Sequence, residues 1–244
     1  MNIHIGTSGF AHKEWKGSFY PEKIPAKDML RYYGTQLGSV EINNTFYHMP
    51  NGTVLASWAS QVGSDFVFAL KAPQVITHMK RLQHVSSETG YFFKSLSVLE
   101  KKLGPVLFQF PKTFRADPAV LKEFLALVPQ GALCAFEFRS PTWRDETTLN
   151  LLREKRCSLC IAEDDETPAG EIVSTAAWGY LRLRRNDYND GDLDQWAERI
   201  LAQKWDKAFV YFKHEGEVGG AEMAMRFRKI VEEKIQAVVT GKAA

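Results

Sequence analysis

Eight short apolar segments of this chain carry acids, bases or amides at positions that alternate with apolar residues, and those polar side chains are the ones with chemistry to offer. His4 and Ser8 share the register left open by Ile3 and Ile5, Glu41 and Asn43 alternate with Val40 and Ile42, and Lys71 follows Leu70. Gln109 lies between Phe108 and Phe110, and Glu137 and Arg139 flank Phe138. Asp164 falls in the register opposite Leu159 and Ile161, Arg182 and Arg184 flank Leu183, and Tyr211 and Lys213 flank Phe212. Side chains of a strand alternate between its two faces, so if the apolar set meets a layer of helices, the polar set points the other way.

This inward set holds five cations, Lys71, Arg139, Arg182, Arg184 and Lys213, against three carboxylates, Glu41, Glu137 and Asp164. Arginine recognises phosphate and carboxylate bidentately, so the expected partner is a small anionic or phosphorylated ligand. Glu137 or Glu41 is the expected general acid/base, Lys71 an electrostatic stabiliser, and Arg139, Arg182 and Arg184 an anion clamp. Ser8, Asn43, Gln109, Asp164 and Lys213 complete the expected polar lining. The glycine-rich run from His214 to Gly220 reads as a phosphate cradle or as a plain turn. Trp15, Tyr20, Phe46, Tyr47, Trp143 and Tyr188 fall in the loops that follow these segments. There they stack on bases or sugars, nucleic acid included, or pack as a lid.

Other chemistries fit the residue pattern less well. Six histidines are scattered without H-x-H or H-E-x-x-H, and segments two to four end in amides or lysine, so no metal and no cofactor is expected. A Mg²⁺ ion on Asp164 and a ligand phosphate stays open. Cys157 and Cys160 form a C-x-x-C, but residues three apart on a strand point to opposite faces, which favours two small buried thiols. A retaining glycosidase would draw its carboxyl pair from Glu41 with Glu137 or Asp164, and a Schiff-base enzyme would use Lys71 or Lys213. The inward charges also admit a purely architectural use, in which Glu41, Lys71, Glu137 and Arg139 form an interior ion-pair network.

The elements that position these residues follow from the same periodicity. Strands are predicted at Ile3 to Gly6, Val40 to Asn44, Phe66 to Lys71, Val106 to Phe110, Leu133 to Arg139, Ser158 to Asp164, Tyr180 to Arg184 and Phe209 to Lys213. Helices are predicted over 27–37, 53–61, 88–103, 117–128, 145–155, 192–204 and 220–237. Alternating strand and helix requires crossover connections and a parallel sheet, and eight units in 244 residues favour closure into a single α/β domain, a (β/α)8 TIM-type barrel over 1–244. The aromatic stretch from Phe10 to Ala26 is expected to order over one barrel mouth, and Thr240 to Ala244 to fray.

Bulk properties narrow the partners. Hydrophobic residues make up 45% and charged residues 25%, which is ordinary globular composition. A net charge of +2 gives no global field toward nucleic acid or membrane, so an anion site has to be local. No charged-then-apolar leader and no long apolar run occurs, which predicts a cytoplasmic protein without a membrane partner.

The motifs GTSGF at 6–10, FYPEKIP at 19–25, VEINNTFYHMP at 40–50, FALKAPQVITH at 68–78, LGPVLFQFP at 103–111, FEFRSPTW at 136–143 and YLRLR at 180–184 extend nearly end to end. Together they resemble the domain of unknown function 72 family, also called YecE-like. The resemblance implies a TIM-type barrel with no settled activity. It also implies recurring polar positions at Ser8, Glu41, Asn43, Thr45, Tyr47, Lys71, Gln109, Glu137, Arg139, Trp143 and Arg182. Arg184 and the run Lys213-His214-Glu215 depart from the family pattern toward a more cationic mouth. The leading expectation is an enzyme of hydrolase or lyase type working on an anionic ligand by acid/base catalysis. A non-catalytic nucleic-acid or metabolite binder and a glycoside hydrolase-like barrel are the alternatives.

Overall fold

The apolar and polar alternation is realised as eight parallel strands in the computed structural model, which describes residues 1–213 and 219–241. They are β1 (Asn2–Ser8), β2 (Ser39–Ile42), β3 (Val67–Lys71), β4 (Leu103–Phe110), β5 (Cys134–Phe138), β6 (Ser158–Asp164), β7 (Trp178–Arg184) and β8 (Lys207–Phe212). Each pairs with its sequence neighbour, and β8 pairs back onto β1 through Ile3–Ala208 and Ile5–Val210, closing the barrel.

The helices are α1 (Met29–Gln36), α2 (Gly52–Ala59), α3 (Ser86–Leu96), α4 (Pro118–Leu127), α5 (Glu146–Glu154), α6 (Asp190–Leu201) and α7 (Gly220–Val239). Their starts have local causes. Asp117 and Asp145 accept from the backbone N–H groups of Val120 and Thr148, and Asn189 forms a reciprocal capping box with Asp192. The predicted helix over 88–103 ends earlier, at Leu96. A 3₁₀ segment follows, and Glu100 at φ 47° breaks the helical path before β4 begins at Leu103. The crossover between β6 and β7 has no helix among its residues, so strand and helix do not alternate throughout.

Outward residues such as Phe68, Phe108, Phe136, Leu181 and Val210 are buried against the helix layer. The lower interior is apolar and aromatic, filled by Ala69, Leu107, Ala135, Trp178, Tyr180, Phe209 and Tyr211. His4, facing inward near the N-terminal end, stacks on Phe209 at 4.8 Å. The polar inward residues therefore sit in the upper tier, toward the C-terminal ends of the strands, where barrels carry their chemistry. The stretch from Phe10 to Ala26 is ordered by its aromatics: Trp15 and Tyr20 are buried, and Phe19 and Tyr20 pack edge-on against Tyr32 or Tyr33 of α1.

Candidate functional site

Glu41, near the end of β2, has no solvent exposure and is surrounded by donors. Its Oε1 accepts from Ser8 Oγ at 2.8 Å, Arg182 Nη2 at 2.9 Å and Asn43 Nδ2 at 3.1 Å. Its Oε2 accepts from Tyr180 Oη at 2.8 Å and Arg182 Nε at 2.9 Å. Arg182 then turns its remaining nitrogen to a second acid, donating from Nη1 to Glu137 Oε2 at 2.7 Å. Glu137 Oε1 accepts from Gln109 Nε2 at 2.6 Å and Arg139 Nε at 3.4 Å. Strands β1, β2, β4, β5 and β7 thus meet in one buried network around a single guanidinium.

The charge state of this network follows from its geometry. Burial alone would push the Glu41 and Glu137 carboxyls up, but the Arg182 charge and the converging donors outweigh it. Glu137 is held at about 2 and Glu41 below the usual carboxylate range. Both are ionised at neutral pH, so neither holds a proton to give as a general acid. A carboxylate offers about four lone-pair sites, and five donors already converge on Glu41. Its geometry therefore anchors and orients Arg182.

Above this layer stand three cations, of which Arg139 reaches Glu137 while Lys71 and Arg184 have no acid at ion-pair distance among the described residues. The Lys71 ammonium lies 4.1 Å over the Phe46 ring and has no carboxylate at ion-pair distance among the described residues. Burial, and then the charge of Arg182, lowers its pKa to about 8. Thr45 Oγ1 donates to the Lys71 carbonyl at 2.6 Å, tying the loop that carries Phe46 to the end of β3. Arg139 keeps 43% of its side chain exposed. Arg184 is half-buried, and its Nε is enclosed without any hydrogen-bond partner; burial and Arg182 lower its pKa. Asn43, which gives its amide N–H to Glu41, leaves a buried Oδ1 with no donor.

Ser8, Glu41, Asn43, Lys71, Gln109, Glu137, Arg139, Arg182 and Arg184 are thus gathered on one tier, and other expected residues are not. Asp164 is exposed and its Oδ1 accepts from the N–H groups of Glu166 and Thr167, capping its own turn. Trp143 is fully buried in the helix layer, stacked on Phe138 at 4.5 Å with its Nε1 donating to the Phe114 carbonyl. Tyr47 is 65% exposed, and its ring packs edge-on with Phe46. Lys213 reaches Asn186 Oδ1 at 3.1 Å on the rim. His214 and the first part of the glycine-rich run lie outside the described residues. Tyr180 was missed because it stands at the predicted start of its strand, although its inward register with Arg182 marks it. His78, whose ring meets the Phe46 edge at 4.9 Å, was missed because it follows β3 in a π-helical turn, Val75–Met79, where strand parity no longer applies.

Residues 4–244 match the family model described as protein of unknown function DUF72. The chain belongs to the DUF72 family. It is 30% identical over 154 residues to the UPF0759 protein YecE of Escherichia coli, a match covering 61% of this chain and 54% of YecE. The chain thus spans about half the length of that relative. It is 25% identical over 203 residues to UPF0759 protein YunF of Bacillus subtilis, covering 77% and 67% of the two chains. A DUF72 family crystal structure from Thermotoga maritima superposes with a TM-score of 0.81 at 24% identity, over 95% of this chain and all of that one. One from Enterococcus faecalis gives 0.79 at 21% identity, over 94% and 95% of the chains. These two likenesses show the fold, a TIM-type barrel. Among the described residues, no helix is long and apolar enough to cross a membrane.

Proposed function

We propose that the C-terminal mouth of this DUF72 barrel binds a small anion-bearing metabolite and acts on it through Lys71. The observation that carries this reading is the pair of uncompensated cations, Lys71 and the buried Arg184 Nε, above a network whose own acids are spent on Arg182. A buried donor without a partner costs about 1–3 kcal/mol, and a ligand oxygen removes that cost. The unpartnered Asn43 Oδ1 supports a ligand that also carries a hydroxyl or N–H donor. Lys71, with its pKa near 8, holds and releases a proton close to neutral pH, as acid/base work requires.

Carbohydrate hydrolysis fits less well. The guanidinium of Arg182 stands between Glu41 and Glu137, where a glycosidic bond would have to lie, and neither carboxyl is in the raised-pKa state that a general acid needs. The anion reading is tested by calorimetric titration of the protein with inorganic phosphate. Binding is expected, and Arg184→Gln is expected to weaken it by roughly 1.5–3 kcal/mol, tenfold or more in Kd. No heat of binding, or equal affinity in the variant, contradicts the reading.

A further inference from the structure

The closed barrel has one short ladder in its wall. β5 and β6 pair only at Ala135–Ser158 and Phe136–Leu159, although β5 runs on to Phe138 and β6 to Asp164. On its other side β6 stays paired with β7 from Cys160 to Asp164. Beyond Leu159 the two strands therefore diverge, and the space between them is a cavity of about 360 Å³. The next crossover brings no helix over this cavity, which is covered by the irregular chain around Gly170 and Val173 together with Leu149 of α5 and Arg144 of the loop before it.

The lining shows that the cavity passes between the strands. Phe138, Leu149, Leu159, Ile161 and Val173 line it from the helix side, while Cys160 and Ala162 belong to the inward face of β6. Cys160 is half-buried although it faces the barrel interior, whereas Cys134 and Cys157 are buried. The cavity borders the polar tier: Cys160, which lines it, feels the charges of Glu137, Arg182 and Arg184, Ala162 is in register with Arg182, Arg139 follows β5, and Arg184 ends β7. Arg144 and Glu171, both exposed, bring opposite charges to the lining and so confer no sign preference of their own. An enclosed apolar cavity of about 150 Å³ already admits benzene, and the apolar side of this larger, open cleft, formed by Phe138, Leu149, Leu159, Ile161 and Val173, has room for a short aliphatic or aromatic group.

The geometry points to a ligand with two parts: an anionic head held by Arg139, Arg184 and Lys71, and an apolar tail lodged in the cleft between β5 and β6. This rests on the anion reading above and adds the substrate class, a small amphiphilic phosphate or carboxylate. The test is a calorimetric series of inorganic phosphate and the straight-chain alkyl phosphates from ethyl to hexyl. Affinity is expected to rise with chain length by up to about fourfold per methylene. Val173→Phe, a loop substitution that fills the cleft, is expected to abolish that rise while leaving inorganic phosphate affinity unchanged. Ala162→Leu gives the same reading from the strand side if the loop variant fails to fold. Phosphate binding with no dependence on chain length overturns the cleft and leaves the anion site standing, as does a rise that persists in the filled variants. Failure of every phosphate to bind overturns both.

Discussion

At the scale of single residues, Arg182 decides whether the polar tier can exist. It is 2% exposed, and two buried carboxylates depend on its charge. Arg182→Met removes three charge-assisted hydrogen bonds, leaving Glu41 without its cation and Glu137 with the longer Arg139 contact alone. A loss of about 3–5 kcal/mol of folding stability is expected, measured by urea unfolding; a loss below about 1 kcal/mol contradicts the role assigned here. The register of the strands was enough to bring Glu41, Lys71, Gln109, Glu137 and Arg182 to one interior. It was not enough to say what each would do there. Charge counting made Glu41 a proton carrier, whereas its lone pairs are filled by donors from two strands, β1 and β7, and the Asn43 amide, a property of the assembled site. Parity also stops where a strand stops: Asp164 and Trp143 lie where the chain is leaving the barrel, and the local turn aims their side chains.

At the scale of elements, strands were more legible than their ends. β7 begins at Trp178, two residues before the predicted start, because Gly179 reads as a turn residue in sequence but serves as a strand residue under the Trp205 ring. A Cβ there would come within 2.2 Å of that ring. Gly6 has the same kind of role between β1 and β2, where an added Cβ would stand 1.9 Å from the Ser39 carbonyl oxygen. Gly6→Ala is therefore expected to lower Tm by several degrees, at about 2–4 °C per kcal/mol for a chain of this size. Gly38→Ala, where nothing lies within 4 Å, is the matched control and is expected to be tolerated. Equal behaviour of the two variants in thermal unfolding contradicts the close approach. The shortened β5–β6 ladder left no mark in the sequence, since both strands alternate normally and only their divergence in space opens the cleft.

At the scale of the whole molecule, a modest net charge conceals a steep local arrangement. The +2 total excludes a global field, while the mouth sets Lys71, Arg139 and Arg184 over a network with two acids and one arginine. This separation is why the proposed ligand class rests on the inward residues and not on composition. The Lys71 ammonium reports the arrangement directly. Its pKa is depressed, so its charge is present below about pH 8 and lost as the pH rises through that value, and anion affinity is expected to fall in step. A bound anion favours the charged form and must raise the pKa. Nuclear magnetic resonance titration of labelled lysines, with Lys71→Met for assignment, is predicted to show one lysine titrating near pH 8 that shifts upward when inorganic phosphate is added. A Lys71 that titrates near 10.5, unmoved by phosphate, contradicts the account.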